Sequence, residues 1–164
     1  MNDQLRIATF NAENFYLLLD RDYSETEFLL ADAKERGFSV SGSAESHYNA
    51  GVRASIEYWG GSETDVTTYL ANPNVAYATA PGTFKEKIGM QMWYALYNRG
   101  FESWTEWRRF DYPQLVAPPE AESVIPLRLT YPVTEQTLNG ANRAAAATAI
   151  GGDAVSTKLF WDKN

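Results

Sequence analysis

The chain has 164 residues, 45% of them hydrophobic, which suits one domain with a real core and leaves little room for two. With 21 acidic against 14 basic residues the formal net charge is -7, and the basic residues at Arg99 and Arg108-Arg109 sit among glutamates, so no nucleic-acid partner is expected. The absence of cysteine excludes disulfides, thiolate catalysis and cysteine-type zinc sites, and a single histidine, His47, cannot build a two-histidine metal centre.

The opening "MNDQLRIATFNAENFYLLLD" mixes short apolar groups with polar ones and carries no motif, so residues 1–22 are an unassigned edge segment and residues 23–164 the folded domain. It has neither the charged start nor the apolar run of a secretory signal, and no stretch of ~20 apolar residues follows, so the chain reads as soluble as written. Helix signals then come in series. In "DYSETEFLLADAKERGF", Ser24 and Glu27 have capping-box spacing, Tyr23 and Phe28 sit where a hydrophobic staple would, and Gly37 is the expected stop. In "GSAESHYNAGVRASIEYWGG", Ser43 is the expected N-cap, Tyr48, Val52, Ile56 and Trp59 form an apolar ridge, and Gly60-Gly61 terminates it. These two segments predict a helical hairpin.

Ser62 and Asp65 repeat the capping spacing before Val66, Tyr69 and Leu70, with Pro73 beyond. Thr83 and Glu86 do so again before Ile88, Met92, Ala95 and Leu96, where apolar residues nearly encircle the helix and predict burial up to a break at Gly100. "FESWTEWRRF" predicts a short helix ended by the approach to Pro113. From residue 112 to 132 the chain carries five of its seven prolines and no helical period, which predicts a long ordered loop. "NGANRAAAATAIGG" predicts a final helix and "STKLFWDKN" a tail with an aromatic anchor. The class is all-α, built of antiparallel helix pairs.

Several residues invite a functional reading. Glu102 and Glu106, four apart, share one helix face, but a glycosidase needs its carboxylates on different sides of the sugar, and Arg109 pairing with Glu106 at i,i+3 should lower its proton affinity. An ion-pair face is expected and no catalytic residue. Trp104, Trp107 and Arg108 form either a stacking platform for a ligand or a packed scaffold in which arginine bridges carbonyls or stacks on rings; adjacent turns favour scaffold. His47 is expected to be solvated or to cap a helix. "GGSETD" is better read as a helix cap than as a calcium loop. The aromatic surplus, 14% of residues, points to large interfaces or to stacking surfaces; Trp59 and Tyr77 are the ligand-binding candidates. No cofactor and no metal are expected.

The strings "YSETEFLLADAKERGF", "HYNAGVRASIEYWG", "YLANPNV", "KIGMQMWYALYNRGFESWTEWRRFDYP", "IPLRLTYPVTEQTLNGAN" and "KLFWD" resemble, in this order, the C-terminal portion of the SusD/RagB family. That resemblance implies tetratricopeptide-like helical hairpins with long ordered loops. It also implies an outer-membrane lipoprotein of Bacteroidetes that binds glycans, or in some members peptides, over a SusC-like TonB-dependent transporter, and that is not an enzyme. Trp104, Trp107, Arg108, Arg109, Tyr112 and Pro113 then belong to a shared structural motif. Met92 stands where the family often has lysine, Phe110-Asp111 replaces a Thr-Gly pair, and Leu127 replaces an arginine. Family members are much longer, and the signal peptide, lipidated cysteine and first repeats have no counterpart here, so a C-terminal fragment bearing scaffold is expected. The alternative is a free-standing helical interaction module. Uncovered ridges at Tyr48, Val52, Ile56 and Trp59, or at Leu17 to Leu19, should then lead to self-association or cover by a companion chain.

Overall fold

The structure, a computed structural model, describes residues 12–162, with side chains from Tyr23 onward. The described residues form helices α1 (Ala12–Glu35), α2 (Ala44–Tyr58), α3 (Glu63–Leu70), α4 (Phe84–Ala95), α5 (Gly100–Phe110), α6 (Glu135–Leu138) and α7 (Gly140–Ala149), with no strand among them. The all-α expectation holds. Among the described residues no helix is long and apolar enough to cross a membrane.

α1 does not start at Ser24. It begins at Ala12, inside the stretch without a readable motif, and runs through the supposed capping box. Ser24 is buried and donates its hydroxyl to the Gly51 carbonyl at 2.9 Å, while Glu27 meets His47. The i,i+3 spacing that makes a capping box also places two side chains on one helix face, and here that face meets α2. The stop is where the sequence put it: Gly37, at φ 83, lets Phe38 N–H reach the Ala33 carbonyl and its own N–H reach Lys34, closing the end of α1.

α2 and α3 start as expected. Ser43 and Ser62 each accept from the backbone N–H three residues on, and Ser46 and Asp65 return the bond. Thr83 caps α4 by accepting from Glu86 N–H at 3.3 Å.

α1 and α2 pack antiparallel, since successive contacts run Ser24 to Gly51, Glu27 to His47 and Phe28 to Tyr48. The close approach needs Gly51, because a Cβ there would lie 2.8 Å from the Phe28 ring. Phe28, Ala31, Tyr48, Val52, Ile88, Met92, Ala95, Leu96 and Phe110 make one core shared by α1, α2, α4 and α5. Each large member contributes about 1.5–3 kcal/mol on burial. Met92 is fully enclosed and is a core position. Tyr48 donates its hydroxyl to the Val75 carbonyl at 2.8 Å and so ties down the segment after α3.

Two expectations need correction. α4 is only partly enclosed: Ile88, Gly89, Met92 and Ala95 are buried, most of its other residues are half-buried, and Tyr94 is 51% exposed. The α2 ridge is also not an uncovered one: Tyr48 and Val52 lie in the core, and only its end, at Trp59, reaches solvent. The Leu17 to Leu19 ridge lies outside the described side chains.

The long loop after α5 is ordered by contacts to the C-terminal segment. Leu127 N–H bonds the Val155 carbonyl at 2.8 Å. Asp153, with its side chain 7% exposed, receives Arg128 at 2.9 Å, Arg143 at 2.5 Å and the Tyr131 N–H at 3.0 Å. The Tyr131 amide, followed by the arginines, holds the Asp153 carboxyl below the usual carboxylate range.

Candidate functional site

α5 begins at Gly100 and turns off at Asp111, which takes the left-handed conformation (φ 61) just before the cis Tyr112–Pro113 bond. Aspartate accepts that conformation better than most residues, and glycine best of all.

Arg108 is the centre of the helix. Its guanidinium lies 3.8 Å from the Trp104 ring centroid and 5.0 Å from that of Trp161, so two indoles flank it. It donates to the Leu127 carbonyl at 2.8 Å, to Trp104 O at 3.1 Å and to Thr105 Oγ1 at 3.2 Å. Burial lowers its pKa. This is the carbonyl-bridging, ring-stacking arginine expected of a scaffold. Arg109 instead reaches Asp32 of α1 at 2.5 Å and Glu106 at 2.6 Å, joining α5 to the hairpin.

Trp104 and Trp107 are partly buried, and both line a cleft with Trp93 of α4 and Tyr97. Their indole N–H groups donate to loop carbonyls, Pro126 O at 2.7 Å and Pro113 O at 2.9 Å. Phe110 packs α5 closely on α4, its Cβ sitting where a side chain on Gly89 would have to go. Pro113 acts through its carbonyl, and Tyr112 packs beside the same Gly89.

Glu102 and Glu106 each hold their own arginine: Arg99 lies 2.9 Å from Glu102 and bridges on to Glu25 at 2.6 Å. The sign expected for Glu106 is reversed, however. Burial raises its pKa, and Arg109 only partly opposes this, because the carboxylate is enclosed beside Glu25 and Asp32.

His47 departs from its expected solvated or capping role. Its Nδ1 lies 2.6 Å from Glu27 Oε2 and its Nε2 2.7 Å from the Ser41 carbonyl, with the side chain 14% exposed.

The two ligand-binding candidates have different surroundings. Tyr77 packs against Tyr48 at 5.0 Å, lies under the Lys87 ammonium, and donates its hydroxyl to Glu35 at 2.6 Å. Burial and the Glu35 contact push that hydroxyl's pKa upward. Trp59 is 51% exposed and meets Tyr58 at 5.1 Å and Tyr97 at 6.3 Å, both edge-on. Tyr97, 83% exposed, also lines a cleft of about 360 Å³ with Trp93, Trp104, Trp107, Leu115 and Ile125. A continuous aromatic surface therefore runs from Trp59 over Tyr97 into the cleft. Reasoning from sequence missed Tyr97 and Trp93. Trp93 near the end of α4 and Tyr97 in the turn just after it are four apart and off the core positions Met92, Ala95 and Leu96, and that spacing is the signal that could have found them.

Among the described residues no three His, Asp or Glu side chains gather as a metal site would need. What the surface offers is stacking faces beside hydroxyl and amide groups, the chemistry that packs against sugar rings.

The SusD-like family model, described as "Starch-binding associating with outer membrane", matches residues 2–132. Among solved structures, a chitin-binding protein is 35% identical with a TM-score of 0.72, covering 87% of this chain and 33% of its own. A Bacteroidetes SusD-like protein is 29% identical with a TM-score of 0.75, covering 87% and 30%. A chitin-binding SusD homologue from Flavobacterium johnsoniae is 27% identical with a TM-score of 0.73, covering 86% and 36%. The chain thus spans about a third of the length of these structures. No curated protein matches it. With the motif strings, the helical hairpin and the arginine-tryptophan helix all in their places, the chain belongs to the SusD-like family.

Proposed function

We propose that this chain is part of a glycan-binding protein of SusD type, serving nutrient uptake at the outer-membrane surface with a SusC-like TonB-dependent transporter. Its ligand contact would be the Trp59–Tyr97 surface. The observation that carries this is the exposed aromatic run into the cleft, in a chain whose relatives include chitin-binding proteins. Trp59 is half exposed, whereas the guanidinium of Arg108 and the indole N–H groups of Trp104 and Trp107 are engaged by the protein's own carbonyls. The α5 motif accordingly serves as scaffold. Tyr77, with its hydroxyl held by Glu35, is the weaker candidate. Glu102 and Glu106 act in ion pairs, and no glycoside hydrolysis is assigned to the chain.

Isothermal calorimetry and tryptophan fluorescence with chito-oligosaccharides, malto-oligosaccharides and short peptides test this reading. The surface is shallow and built from one third of a SusD-like length, so glycan binding in roughly the millimolar range is expected, about -4 kcal/mol. Trp59→Ala should abolish it and Tyr97→Ala weaken it, with the melting temperature nearly unchanged. Binding of peptides alone, or glycan binding indifferent to both substitutions, overturns the assignment.

A second reading, a helical interaction module, is favoured by one observation. Phe101 and Leu129, 78% and 73% exposed, flank an almost wholly apolar hollow with Trp104 and Pro126. A protein partner that competes with oligosaccharide would decide for it.

A further inference from the structure

His47 has an acceptor on each ring nitrogen. Nδ1 faces the Glu27 carboxylate at 2.6 Å and Nε2 faces the Ser41 main-chain carbonyl at 2.7 Å. Neither partner carries a proton to give: a carbonyl only accepts, and an ionised carboxylate only accepts. A neutral imidazole has one N–H and one lone pair, so it satisfies one of these contacts and sets a lone pair against an oxygen in the other. Only the imidazolium satisfies both.

The two contacts lie on different elements. Glu27 is in α1, 7% exposed, beside the Ser24–Gly51 bond that joins the two helices. Ser41 is in the turn between α1 and α2, whose middle is also tied by Lys34 Nζ to the Val40 carbonyl at 2.9 Å and whose ends are held by Phe38 N–H to the Ala33 carbonyl and by the Ser43–Ser46 capping box. From this arrangement we propose that His47 is a proton-operated latch: protonated, it clamps the turn of residues 38–43 onto the α1–α2 hairpin, and on losing its proton it keeps Glu27 and releases Ser41. Glu27 is kept because a bond to a carboxylate is stronger than one to a neutral carbonyl.

The charged and titratable groups facing the ring favour, on balance, its protonated form. The hydrogen bond to Glu27 is the largest influence and raises the His47 pKa above its ordinary 6.5, the Ser41 carbonyl adds to it, and burial and Lys34 oppose it. Tyr23, also on α1, hydrogen-bonds the same Glu27. A raised value in the folded state means that the latch contributes its full stability below pH 6.5, and that this is lost as pH rises through the folded value.

His47 is the chain's single histidine, so its ring resonances can be followed without assignment ambiguity. The test is an NMR titration of that ring between about pH 5 and 9 on an untagged chain, paired with amide hydrogen exchange of residues 38–43 corrected for intrinsic base catalysis. The ring is expected to titrate above 6.5, with protection of the turn falling several-fold across the same midpoint. Glu27→Gln should lower the midpoint, and His47→Gln, which cannot titrate, should remove the step in protection. A ring that titrates at or below 6.5, or turn protection that stays level through the ring's midpoint in the wild type, overturns the proposal. Both decisive readings come from the unmodified chain and do not depend on a variant folding.

Discussion

Arg108 does the work of several residues, and its surroundings set what replacing it should do. Its guanidinium lies over both the Trp104 and Trp161 rings and donates to the Leu127 carbonyl, so one side chain joins α5, the long loop and the C-terminal tail. Arg108→Ala removes a desolvated cation–π contact and leaves a carbonyl unbonded, and should destabilise by about 3 kcal/mol in urea unfolding. Arg108→Lys should recover little, since an ammonium keeps the charge but not the plane. An unchanged unfolding midpoint for both would mean that the tail and loop are held by other contacts. The arginine's role was readable from spacing, because Trp104 lies one turn before it. Trp161 was not readable as its second ring, being far away in sequence. His47 and Glu106 were misjudged for a related reason: a partner's identity can be guessed within a helix, but burial and contacts from other elements decide a buried group's proton affinity.

At the scale of the element, capping chemistry was largely legible. Ser43, Ser62, Thr83 and the glycine stop at Gly37 are local signals and stand where expected. Ser24 misled because the same spacing served a helix-to-helix contact. That contact makes Gly51 a sensitive position. Gly51→Ala would press a methyl to 2.8 Å from the Phe28 ring, outweighing the better helix propensity of alanine, and should destabilise by about 1–3 kcal/mol. A variant as stable as wild type would show that the hairpin can slide apart without loss. The C-terminal end of α5 suggests the reverse change. Asp111 holds φ 61 at the end of α5, where glycine avoids the Cβ clash, so Asp111→Gly should raise stability by up to about 1 kcal/mol in thermal unfolding. A lower melting temperature would mean that the aspartate side chain makes a contact worth more than the relieved strain. Trp104 and Trp107 show where legibility ended: their positions on α5 were plain, but the carbonyls they reach lie in a proline-rich loop whose path no periodic pattern encodes.

For the whole molecule, the balance is between apolar surface and charge. Tyr97, Phe101, Leu129, Val133, Leu138 and Phe160 are all exposed, an arrangement that favours cover by another surface. The net charge of -7 opposes approach of a second identical chain, and does so through interactions that salt screens over about 10 Å at 0.1 M. The two tendencies can be separated. If the apolar hollow at Phe101 and Leu129 drives association, the mass measured by light scattering should rise with protein concentration, and rise further as salt is raised from about 0.05 to 0.5 M and repulsion is screened. Association driven by ion pairs would instead weaken with salt. Replacing both Phe101 and Leu129 by serine should restore the monomer at all salt concentrations without lowering the melting temperature much, because neither side chain belongs to the core. A wild-type chain that stays monomeric at high concentration and high salt would show that this face remains hydrated in the isolated chain, and would remove the observation that favours the interaction-module reading.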